Sequence, residues 1–90
     1  MRWQLWPDPT TSIYFDGLEN VEIQVIGTPS VAYTPQRSGD GSTFVAANAY
    51  DKDGNTVTSI TVAGFYNLIG GCHIKLAGGS GSTIYVRAGA

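Results

Sequence analysis

"GCHIKLAGGSGSTIYVRAG", residues 71–89, is the stretch that decides the fold. Cys72, Ile74 and Leu76 alternate with His73 and Lys75. After a run of glycine and serine, Ile84, Val86 and Ala88 alternate with Tyr85 and Arg87. A period of two sends one set of side chains to each side of an extended strand. The intervening "GGSGS" at 78–82 is turn chemistry, so the segment predicts two antiparallel strands with one shared apolar face and a flexible turn between them.

The same pattern extends toward the N-terminus. "NVEIQVIG" at 20–27 sets Val21, Ile23 and Val25 against Glu22 and Gln24. "SIYF" at 12–15, "TFVAANAY" at 43–50 and "TVTSITVAG" at 56–64 are rich in the β-branched and aromatic residues that suit a pleated surface. "VAYT" at 31–34 is a further short strand, and "TPQRSGDGS" at 34–42 is the longest polar break, predicted as an exposed loop. "DKDGN" at 51–55 carries Asp-Gly, a strong hairpin signal. The 42–53 window lacks glycine and proline, but its Phe, Val, Tyr, Thr and Asn make it a poor helix. About seven short strands with frequent turns predict an all-β fold, a small antiparallel β-sandwich of jelly-roll-like form.

The 90 residues make one domain. Charged residues are 13% of the chain and the net charge is −2. Arg2, Arg37, Lys52, Lys75 and Arg87 are scattered, so no basic patch for nucleic acid is expected. So few charges on so small a body imply that part of its surface is covered in use. A single cysteine excludes an intrachain disulfide framework. No apolar run approaches the ~20 residues of a membrane span, so no membrane partner is expected. No basic stretch followed by an apolar one opens the chain, which predicts synthesis in a cytoplasm.

The composition changes at the front, in "MRWQLWPDPTT", residues 1–11. Pro7 and Pro9 hold the backbone extended and cannot donate ladder hydrogen bonds. These residues are predicted to form an arm preceding a sandwich at 12–90. Two roles stand open for Trp3, Leu5 and Trp6: capping the chain's own core, or anchoring to another chain with Arg2 paired to an acidic group. Tryptophan is enriched among interface hot spots, and an aromatic terminus needs a surface to lie on. Arg2, Trp3, Leu5 and Trp6 are therefore the candidate partner-binding residues.

Other constellations fail on spacing. Asp51, Asp53 and Asn55 resemble the start of a calcium loop, but Gly54 falls fourth and Val62 stands where the twelfth-position glutamate belongs. Cys72 and His73 are adjacent on a strand and point to opposite faces, so they make no nucleophile–base pair. Asp16, Glu19 and Glu22 lie near one another, but a sandwich this small has little room for the sugar-sized cleft that paired carboxylates would serve. "AGGSGS" lacks the Lys-Ser/Thr ending of a phosphate loop. Tyr14, Tyr33, Tyr50, Phe65, Tyr66 and Tyr85 are candidates for stacking on sugars, though strand aromatics commonly serve packing. No catalytic residues, metal or cofactor are expected, and the chain does not read as an enzyme.

The second half, and above all "VAGFYNLIGGCHIKLAG" with the closing "GSGSTIYVRAG", resembles small virion proteins of tailed bacteriophages. The likeness covers residues 64–90, and 43–63 more loosely. It implies a head decoration, or cement, protein: a structural homotrimer on the capsid surface whose partner is the major capsid protein. The alternative is a carbohydrate- or receptor-binding module of a tail fibre or spike.

Overall fold

The computed structural model describes residues 2–16 and 20–88. Among these the chain forms ten strands and no helix: β1 (Gln4–Leu5), β2 (Ile13–Phe15), β3 (Asn20–Ile26), β4 (Thr34–Ser38), β5 (Val45–Ala46), β6 (Ala49–Tyr50), β7 (Thr56–Val57), β8 (Gly64–Ile69), β9 (Cys72–Ala77) and β10 (Thr83–Ala88). They build two antiparallel sheets, one in the order β1-β10-β3-β8-β6-β7 and the other β2-β9-β4-β5. The pairings are nested: β1 with β10, β2 with β9, β3 with β8, and β4 with β5. A long antiparallel ribbon has thus been rolled so that successive pairs fall in alternate sheets, which is the jelly roll. The β6–β7 hairpin extends the larger sheet beyond β8.

Register carries the predicted alternation directly into a core. Ile23 lies opposite Val86 on one side and Tyr66 on the other, and Val25 lies opposite Ile84. Facing them from the second sheet are Cys72, Ile74, Leu76 and Phe15. Ile23, Ile60, Leu68, Ile74, Leu76 and Ile84 are fully buried, each stabilising the fold by about 1.5–3 kcal/mol relative to exposure.

The predicted arm is woven into this body. β1 pairs with β10, the Trp6 N–H donates to the Ile84 carbonyl at 2.8 Å, and the Leu76 N–H donates to the Pro9 carbonyl at 2.8 Å. Between those anchors Asp8 turns the chain, accepting from the Thr10 amide at 3.1 Å, the Thr10 hydroxyl at 2.5 Å and the Thr11 hydroxyl at 3.1 Å. These bonds hold the Asp8 carboxyl below the usual carboxylate range, those from Thr10 most of all. Residues 2–11 therefore belong to the sandwich rather than preceding it.

Four local expectations also change. "TPQRS" is strand β4, with Pro35 and Ser38 buried. Its proline is tolerated because the Leu76 N–H opposite it points away toward Pro9. The side of Pro35 that lacks a donor faces the β5 edge, where its carbonyl still accepts the Ala47 N–H at 3.0 Å. "TFVAANAY" is two strands in different sheets, with the small residues at 46–49 forming the corner. Of "VAYT" and "TVTSITVAG", Thr34 opens β4, Gly64 opens β8 and Thr56–Val57 is β7; Val31, Tyr33 and Ile60 form isolated bridges. The 78–82 turn is packed: a Cβ at Gly79 would overlap the Tyr33 ring, and the Ser82 hydroxyl donates to the Gly27 carbonyl at 2.7 Å.

Candidate functional site

In the sequence "WQLW" the strand period splits the candidate anchor residues between two faces. Leu5 sits beside Tyr85 on the outer side of the six-stranded sheet, and Gln4 sits beside Val86 on the inner side. Trp6, one residue on, is 3% exposed and packs in the core, its indole N–H donating to the Thr11 carbonyl at 3.1 Å. Trp3 instead lies across the outer face. Its ring centroid is 5.9 Å from that of Phe65, tilted by 59°, and the Arg87 guanidinium carbon stands 4.9 Å from its ring centre. Arg2 is exposed. The two roles open for these aromatics thus divide: Trp6 caps its own core, while Trp3 and Leu5 face outward.

The rest of that face follows from register. Leu5, Tyr85, Gln24 and Phe65 form one cross-strand row; Arg87, Glu22, Asn67 and Tyr50 form the next. Leu5, Ile26, Phe65 and Ile69 are each about half exposed, at 52%, 45%, 49% and 48%. The charges in these rows are Arg87 and Glu22, and they neutralise each other: Nη2 and Nε of Arg87 both lie 2.6 Å from one Glu22 oxygen. A pair this exposed contributes no more than about 1 kcal/mol. Its consequence is that the exposed hydrocarbon of Leu5, Ile26, Phe65 and Ile69 shares the face with amides and a self-compensated ion pair, and apolar area of this kind marks an interaction site when contiguous.

The remaining candidates fall elsewhere. Asp51 is occupied in the hairpin turn, accepting the Asp53 and Asn55 amides at 2.9 Å each, and Gly54 turns with φ of 81°. These bonds, led by that from Asn55, hold its carboxyl below the usual range. Cys72 is buried beside the Ile69 carbonyl, while His73 faces outward against Tyr14 at 4.9 Å. Asp16 is exposed and Glu22 is held by Arg87. Glu19 lies outside the described residues. Tyr33 and Tyr66 are core residues, the latter donating its hydroxyl to the Val62 carbonyl at 2.7 Å; burial pushes that phenol upward. Among the described residues no cluster of three His, Cys, Asp or Glu side chains is placed to hold a metal, and no helix is long and apolar enough to cross a membrane.

In the sequence, Phe65 reads only as one of the candidates for stacking on sugars, and Ile26 and Ile69 are assigned to neither face. The available signal was parity: each occupies the outward position of its alternating strand, next to a buried neighbour. Comparison with protein-family models, with curated proteins and with solved structures finds no match to this chain.

Proposed function

We propose that this chain is a small structural virion protein of the capsid-decoration type. It performs no chemistry and attaches to the major capsid protein as a homotrimer, through the outer face of its six-stranded sheet. The observation that carries this reading is that face: Leu5, Ile26, Phe65 and Ile69 stand half exposed on it, Trp3 lies against Phe65, and the Arg87–Glu22 ion pair on it is self-compensated. Apolar area supplies the driving force for docking, at about 25 cal/mol per Å² removed from water. Three copies joined together would add avidity to a contact that is modest in each. The resemblance of residues 64–90 to tailed-phage virion proteins supports the same assignment.

The test is the assembly state of the purified chain by light scattering, followed by co-sedimentation with undecorated heads of the phage that encodes it. A trimer that saturates heads, and a Leu5→Ser/Phe65→Ser double variant that folds but stays in the supernatant, support the proposal. A monomer with no affinity for heads overturns it. The receptor-binding alternative draws on one feature, a groove of about 430 Å³ with Phe65 beside Ser59, Thr61 and Asp53. Saturable retention on glycan beads in place of heads would favour it.

A further inference from the structure

β4 places a cation where its neighbours place hydrocarbon. Arg37 lies opposite Ile74, which is 1% exposed, so the two share the inward side of the four-stranded sheet. The cross-strand row continues to Val45 on β5. Beside Arg37 a cleft of about 240 Å³ opens between the sheets, where the chain crosses from β5 to β6. Leu68, Ile74 and Ala47 line it with hydrocarbon, and Asn48, exposed at the corner, adds an amide. No carboxylate belongs to the described residues lining it.

We propose that this cleft binds a carboxylate carried on a short aliphatic stem. The guanidinium offers a planar fork of donors matched to a carboxylate, and it keeps its charge at any physiological pH. Asn48 supplies a further donor, and the hydrocarbon floor accommodates the stem. The volume lies below the ~300–1,000 Å³ typical of drug-sized ligands, which restricts the guest to a small acid or a single acidic side chain. The site is formed between the sheets and does not depend on the outer face or on capsid attachment.

The experiment is a titration of the isotopically labelled full chain followed by amide NMR shifts, with butyrate, butyramide and a capped glutamate peptide as probes. Butyrate is expected to shift the Arg37, Ala47 and Asn48 amides to saturation, with isosteric, uncharged butyramide leaving them unmoved. Arg37→Met should weaken binding about tenfold or more, since hydrogen bonds to charged groups are the stronger kind. Asn48→Ala, at an exposed position that does not hold the fold, should weaken it less and serves if Arg37→Met fails to fold. Saturation by butyrate alone identifies a free acid as the guest, and saturation by the peptide at equal or lower concentration identifies a polypeptide side chain. Shifts that grow linearly, that butyramide reproduces, or that persist in both variants overturn the proposal.

Discussion

The two outer faces of the sandwich are finished differently. Over the four-stranded sheet the chain folds back on itself: residues 39–44 bring Gly41 against the His73 ring and Phe44 beneath the Lys75 ammonium, 4.2 Å from ring centre to nitrogen. Asp40 ties that loop down, accepting the Ser42 and Thr43 amides at 2.8 and 2.9 Å and the Ser38 hydroxyl at 2.8 Å. Over the six-stranded sheet there is the Trp3 indole against Phe65, and Leu5, Ile26, Phe65 and Ile69 are left half exposed along the face. A thin core gives a small chain reason to use every large side chain internally. The proposed docking would cover what the six-stranded face leaves bare, as the 39–44 loop covers β4 and β9; Tyr14 on β2, 55% exposed, marks where that loop stops.

The sharpest way to break this comparison is to exchange the roles of the two tryptophans. Trp6→Ala empties a buried site and should cost about 3–5 kcal/mol. A domain this size has about 5–13 kcal/mol in total, so partial unfolding near room temperature is within reach. Trp3→Ala forfeits a tilted aromatic contact and a cation–π contact, together about 1–2 kcal/mol at most. Denaturant midpoints of the two variants measure the difference. Equal losses would mean that Trp3 is core and that the bare face is an ordinary exterior.

On the covered face, Gly41 has φ of 79°, and a Cβ there would come within 3.0 Å of the His73 Cε1. Gly41→Ala should therefore cost about 1–2 kcal/mol and lower the melting temperature by roughly 4–16 °C. On the bare face, Leu5→Ser and Ile69→Ser should each stay within about 0.5 kcal/mol of the parent. Their effect belongs to association: sedimentation should show weakened self-association or head binding at unchanged melting temperature. If the bare-face variants lose stability as Gly41→Ala does, the contrast between the faces fails.

How much of this was legible beforehand follows from where the physics is local. The core strands β3, β9 and β10 alternate cleanly, and their inward residues could be named from parity alone. β4 was hidden because Pro35, Gln36, Arg37 and Ser38 are turn-like and polar by composition. Its strand state comes from neighbours on both sides, which no local pattern encodes. The corner at Ala47–Asn48 was hidden for the converse reason, since a β-compatible run of eight conceals a change of sheet. At the site, Trp3, Leu5 and Trp6 read as one group, because the prolines obscure the two-residue period of "WQLW" that turns Trp6 inward. The neutral pairing of Arg87 with Glu22 joins residues 65 apart and needed the register of β10 on β3.

Acid supplies the finest discrimination between the faces. The Thr43 and Ser42 amides, with the Ser38 hydroxyl, hold the Asp40 carboxyl down at about 2, against an ordinary 3.8. A carboxylate whose value is lower folded than unfolded adds stability that is present above pH ~4 and disappears as pH falls through ~2. Protonation removes an acceptor from the loop that covers the four-stranded sheet, so that loop should loosen between those limits. Side-chain NMR contacts between Phe44 and Lys75 should fade over that range, while those between Trp3 and Phe65, which no titrating group fastens directly, should outlast them. Asp40→Asn should show the weakened Phe44–Lys75 contact at every pH, with no acid transition. Persistence of the contact at pH ~2 in the parent would show that the loop is held by packing rather than by the carboxylate, and the two faces would then differ in area alone.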